Sequence, residues 1–202
     1  DRNKPVNWKR RVETCGEIGV LGDLGMHAVH VPFRLGWIPS SVYAVLQDLV
    51  EERPDGRGGS AVCDTFENAT LHTTVTGPGR AFPLSIATKR IAPGEMNTWR
   101  FQVLGMDGGV EFSTRSPQVV RRFRVDGDGR QVWEEVQPGN RSVFPTVTGA
   151  IFEFGFSDAI LQMWASYLAE RAGVLDGRFG CVTPAEAVAS HRLFAAALRS
   201  HM

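Results

Sequence analysis

Asp23, His27 and His30 fall at i, i+4 and i+7 within Gly16 to Trp37, GEIGVLGDLGMHAVHVPFRLGW, a stretch that reads as a helix. That spacing puts all three on one helical face. An imidazole takes and returns a proton near neutral pH without special tuning, which makes His27 the leading candidate for acid–base work. Asp23, one turn earlier, can orient the ring or hold a substrate hydroxyl. The same trio also suits zinc or manganese, although ligands from a single helix rarely converge on one ion without others. A carboxylate and a histidine at i, i+4 are, on spacing alone, commonly a solvated ion pair.

The helix that must position these groups carries an apolar set at Leu21, Leu24, Ala28, Val31 and Leu35. Its spacings of three and four predict a buried stripe opposite the polar face. Pro32 predicts a kink or an end near Val31, since it removes one backbone bond. Gly36 suits a C-terminal stop. Glycines at 16, 19, 22 and 25 let something approach the backbone closely. They follow no apolar strand and have no acidic residue placed for a ribose, so they are not a dinucleotide fingerprint.

Before the helix, Asp1 to Cys15 is polar and basic with Trp8 its one large apolar group, and reads as extended. Val42 to Leu49 reads as the first strand, and Glu51 to Ser60 as a mobile loop. Period-two alternation follows, with Ala69, Leu71, Thr73 and Val75 facing one way. Phe82, Leu84 and Ile86 continue it, as do Trp99, Phe101 and Val103. Asp107-Gly108-Gly109 signals one hairpin, and Asp126 to Gly129 signals another between Val119–Val125 and Gln131–Gln137.

Two late helices close the chain. Ser157 and Asp158 can cap one whose apolar face is Ile160, Leu161, Trp164 and Leu168, stopped at Gly173. Thr183 to Glu186 is a capping box with proline at the first helical position, before a helix burying Val188, Phe194, Ala195 and Leu198. The expected fold is α+β: a large, mostly antiparallel, open-faced sheet with helices on one face, in a single domain over residues 1–202. Trp99, Trp133 and Val119–Val120 put apolar groups on both sides of strands, which predicts an oligomer interface on the open face. His72 reads as surface or interface, His191 as a core histidine on the last helix, and His201 as tail.

Composition excludes several classes. Of 202 residues 43% are apolar, enough for a real core, and 22 basic side chains balance 22 acidic ones. Nothing in that balance argues for nucleic acid or an anionic membrane surface. No apolar run is long enough to span a bilayer. Cys15, Cys63 and Cys181 give neither a disulfide framework nor a zinc spacing, so a reduced cytoplasm is expected.

The motif D-x-G-x-H (Asp23, Gly25, His27), after a Gly-rich turn and a Trp-basic pair (Trp8, Lys9), resembles the second domain of Gfo/Idh/MocA oxidoreductases, the glucose–fructose oxidoreductase and inositol dehydrogenase family. ENATLHTTV, VLGMDGGVEFST and TPAEAVASHRLFAAALRS continue the resemblance in the same order. His30 departs from the acidic residue common there. The resemblance implies NAD(P)-dependent hydride transfer on a sugar, polyol or related hydroxylated molecule. It implies Asp23 and His27 as catalytic residues; Lys9 and Trp8 are expected to contact the substrate near the cleft, His30, on the same helical face, to line the pocket, and no metal is expected. The family's nucleotide domain and its lysine are not in this sequence, so the chain is expected to be the second half of such an enzyme, to bind neither NAD nor NADP alone, and to form a homodimer or tetramer. A metal-dependent hydrolase using Asp23, His27 and His30, and a non-catalytic assembly module, are the alternatives.

Overall fold

The computed structural model of the chain describes residues 2–77, 79–137, 142–147, 149, 151 and 154–201. Asp1, part of the leading segment, lies outside them. Contacts divide the chain into two units, Asp1–Gly94 with Val182–Met202, and Glu95–Cys181.

In the first unit the leading segment is not extended. It forms a 3-10 turn at Trp8–Arg10 and a one-turn helix α1, Val12–Cys15. Side-chain oxygens take the orphan N–H groups of these turns: Asn7 accepts from Lys9 and Asp64 from Val12. A π-turn, Leu21–Gly25, then runs into α2, Met26–Arg34. α2 passes through Pro32 and ends three residues later than Val31. Its end is a Schellman motif, with Gly36 N–H on Phe33 O and Trp37 N–H on Pro32 O, both at 2.9 Å. Gly36, at φ +79, makes the stop its sequence position predicted.

The buried stripe of this helix is Leu21, Gly25, Val29 and Phe33, not Leu21, Leu24, Ala28, Val31 and Leu35. Leu35 is 52% exposed, while Leu24 and Ala28 only flank the core. The π-turn supplies the reason. It takes more residues per turn than an α-helix, so the apolar face downstream shifts by about one position.

Strand β1, Pro39–Gln47, is followed by a hairpin of β2, Glu52–Pro54, and β3, Ser60–Val62. Within residues 51–60, expected as a loop throughout, Glu52–Pro54 and Ser60 are paired and residues 55–59 form the connecting turn. Asp55 closes the turn by accepting the N–H groups of Arg57 and Gly59. β4, Asn68–Val75, and β5, Phe82–Lys89, complete an antiparallel sheet in the order β1-β4-β5. Ala44, Leu71 and Ile86 stand in register across it. Ala69, Leu71, Thr73 and Val75 are buried, as their alternation predicted.

In the second unit four strands form an antiparallel sheet: β6, Arg100–Leu104; β7, Gly108–Ser113; β8, Val120–Val125; and β9, Gln131–Val136. Both predicted hairpins are present. Phe101, Phe112, Val120 and Val136 share one rung and therefore one face. Leu104, Phe123 and Trp133 share another rung on the opposite face. Helix α3, Phe156–Arg171, is capped by Gly155, whose N–H donates to Asp158, in place of the predicted Ser157. It stops at Gly173 through a second Schellman motif. Its predicted apolar face is exposed, with Leu161 and Leu168 both at 62%, and the buried residues are Ser166 and Ala169.

The last helix, α4, Pro184–His201, belongs to the first unit. Thr183 and Glu186 exchange the two bonds of the predicted capping box. The helix buries Ser190, Leu193, Phe194 and Ala197, whereas Val188 and His191 are exposed. Its last turn seals the free edge of β1. Ala44 N–H donates to Ser200 Oγ and Leu46 N–H to His201 Nδ1, so His201 is no loose tail. α2, α4 and the π-turn cover one face of β1-β4-β5, and the core between them holds Val20, Leu21, Val29, Leu71, Ile86 and Phe194. The result is α+β, with antiparallel sheets and helices as the periodicity predicted, the nine described strands being divided among sheets of three, two and four.

Candidate functional site

Asp23 sits in the π-turn, and its carboxylate is taken by two cations from elsewhere in the chain. Lys9 Nζ lies 2.8 Å from Oδ1, and Arg90 Nε lies 3.2 Å from Oδ2. The 3-10 turn delivers Lys9 and the end of β5 delivers Arg90. Arg90 Nη1 also donates to the Lys9 carbonyl at 2.7 Å, and Thr65 Oγ1 donates to the same oxygen at 2.9 Å. The aspartate, the lysine backbone and the strand end are therefore locked to one another. Burial pushes the Asp23 carboxyl up, but Lys9 and Arg90 outweigh it and hold the group below its ordinary value.

The structure brings Lys9 and Asp23 together, which their separation in sequence did not announce. Trp8 stays 59% exposed, with the Lys9 ammonium 5.5 Å above its ring. His27, on the first turn of α2, is exposed. His30 is half-buried; burial, reinforced by Arg34 and His27 and opposed by Glu186, pulls its imidazole down. Arg34 extends the polar row to i+11 from Asp23 and forks onto Glu186 of α4, at 2.7 and 2.9 Å. That fork, against the pull of burial and helped by the Thr183 N–H, brings Glu186 to about 2. His72 is exposed at mid-strand in β4.

Sequence reading missed Arg90 and Arg34. Arg34 had a local signal, being four residues after His30 on the same face. Arg90 had none, because its partner stands 67 positions away.

The glycines near the site serve packing. A Cβ at Gly25 would meet Phe194 Cζ at 2.8 Å, and one at Gly22 would meet Ile18 Cδ1 at 2.8 Å. A Cβ at Gly19 would stand 3.1 Å from the Phe66 carbonyl oxygen. The turn thus closes on its own chain, and every strand pair among the described residues is antiparallel. These residues do not fit a dinucleotide cradle, which needs a strand–turn–helix opening onto the phosphates. Among the described residues, no three His, Cys, Asp or Glu side chains are placed to share a metal ion. No helix of the described residues is long and apolar enough to cross a membrane.

No protein-family model matches the chain, and no curated protein sequence matches it significantly. Solved structures do. The oxidoreductase domain protein from Kribbella flavida is 20% identical with a TM-score of 0.79, over 100% of this chain and 52% of that one. Levoglucosan dehydrogenase in complex with NADH and levoglucosan is 21% identical with a TM-score of 0.78, over 100% and 52%. An inositol dehydrogenase homologue complexed with NAD+ from Azotobacter vinelandii is 16% identical with a TM-score of 0.69, over 96% and 49%. The chain spans about half the length of these structures. It therefore has the fold that makes up about half of each of these Gfo/Idh/MocA-type oxidoreductases, the family whose motifs its sequence resembles.

Proposed function

We propose that the chain is the substrate-binding part of an NAD(P)-dependent oxidoreductase acting on a sugar, polyol or related hydroxylated compound. The observation that carries this reading is an Asp23 held charged by Lys9 and Arg90, with an exposed His27 four residues further on, in a fold shared with dehydrogenases solved with NADH and levoglucosan or L-sorbose. A nucleotide held by another domain would supply hydride exchange at the substrate carbon.

This chain's residues handle the hydroxyl. His27 takes its proton as the carbinol becomes a carbonyl, and returns it in the reverse direction. Asp23, kept as a carboxylate by its two cations, accepts a hydrogen bond and orients the imidazole; it is not the proton carrier. Lys9 and the exposed Trp8 ring hold the sugar, the ammonium by hydrogen bonds and the indole by its apolar face. His30, whose imidazole is pulled down by burial, lines the pocket on the same face. The surplus apolar rungs of the β6–β9 sheet serve a homodimer or tetramer. A metal-dependent hydrolase has no observation in its favour, since Asp23 is committed to Lys9 and Arg90.

The test is a panel of sugars and polyols given to the full-length protein with NAD or NADP, read as reduced nicotinamide. Reduction on at least one polyol or sugar is expected. Hydrolysis that stops with a chelator, with no reduction of either nucleotide, would contradict the reading.

A further inference from the structure

Three guanidiniums crowd one groove in the first unit. Arg10, Arg53 and Arg90 line a cavity of about 360 Å³ whose rim carries Lys4 and whose apolar wall includes Ile91 and Pro93. These arginines are built into the fold and do not lie loosely on it: their side chains are 14%, 5% and 6% exposed. Glu67, 1% exposed, is ion-paired with both Arg10 and Arg53, and Asp23 is shared by Arg90 and Lys9. Four cations thus gather around two carboxylates, with Lys4 at the rim. Burial pulls Arg10 below its ordinary value, and Arg53 and Arg90 add to that pull while Glu67 opposes it. Gathering like charges in a poorly solvated site is costly unless a counter-charge joins them.

We propose that this groove binds the anionic group of a small molecule, a phosphate monoester or a carboxylate, through the guanidiniums of Arg10, Arg53 and Arg90 with Lys4 at its mouth. Planar guanidinium forks match the oxygen spacing of both groups. The volume suits one small molecule of sugar size. Arg90 connects the groove to Asp23, so an occupant would sit beside the hydroxyl-handling residues. The proposal does not rest on hydride transfer, and it is tested without nucleotide.

The experiment is calorimetric titration of the 202-residue chain at fixed ionic strength with four probes: inorganic phosphate, glucose 6-phosphate, gluconate and glucose. Saturable binding of the anions and silence from glucose are expected, with the stronger of glucose 6-phosphate and gluconate identifying the group. Added salt should weaken the binding markedly. Arg10→Gln should lower the affinity by roughly tenfold or more, as expected for loss of a charge-assisted contact. Because Arg10 also supports Glu67, Lys4→Glu is the companion variant; Lys4 is exposed, its replacement leaves the fold intact, and it should weaken the anions in the same direction. Heats that never saturate, equal response to glucose, or unchanged affinity in Lys4→Glu would each overturn the proposal.

Discussion

Arg90 reaches back to Asp23, its Nε 3.2 Å from Oδ2, and ties the motif aspartate to the end of β5. The contact joins a residue suited to substrate work to a strand of the core sheet. Asp23 therefore has a structural role beside the catalytic one proposed for it. Asp23→Asn keeps the shape but leaves Arg90, 6% exposed, facing a neutral amide. A destabilisation of about 2–3 kcal/mol is expected, toward the lower end for breaking a buried pair because Asp23 is partly exposed. Urea denaturation checks it, and an unchanged midpoint would show that the clamp is idle.

Gly25 lets α4 dock against the π-turn. Its backbone is ordinary right-handed helix, φ −63, so only space keeps it glycine. Gly25→Ala drives a methyl into the Phe194 ring, which is fully buried and has nowhere to move. We expect a loss of about 1–3 kcal/mol from overpacking. Pairing it with Phe194→Leu should recover part of that loss. Thermal melts of the two single variants and the double variant would show strict additivity if the contact did not matter.

The link between α2 and α4 is pH-dependent. Glu186 titrates at about 2 in the folded chain against 4.5 for the free side chain. The folded value is lowered, so its contribution is full above about pH 4.5 and is lost as the pH falls toward 2. Solvent screening of this pair leaves on the order of 1–2 kcal/mol. Denaturation midpoints compared at pH 6 and pH 3 should fall less in Glu186→Gln than in the parent. An equal fall would assign the acid loss to other carboxylates.

Assembly is read by light scattering. A homodimer or tetramer is expected, and Leu104→Glu, on the rung of Phe123 and Trp133, should shift it toward monomer. Leu104 is 61% exposed, so folding should survive the change. A parent chain that stays monomeric at high concentration would count against the interface.

The parts of the fold legible in sequence are those whose cause is local. The β6–β7 and β8–β9 hairpins have Gly and Asp at their turns and period-two strands on either side. Gly36 and Gly173 stop their helices because only a left-handed residue completes a Schellman motif there. The phase of α2 was not legible, because no periodic template contains a π-turn that shifts the apolar face. The β2–β3 hairpin hid behind Pro54 and its glycines; what orders it is Arg53 buried on Glu67, a partner 14 positions away. Asp23 and His27 were visible as one face, but the cations that set the charge of Asp23 come from two other segments.

The central claim is that His27 exchanges the substrate proton beside a charged Asp23. Its most direct measurement is the turnover of full-length His27→Ala against the parent on the best polyol or sugar, with melting curves alongside. His27 is exposed, so the melting temperature should hold while kcat falls by about two to four orders of magnitude, the usual share of a positioned acid–base group. A stably folded His27→Ala that keeps full turnover would contradict the account.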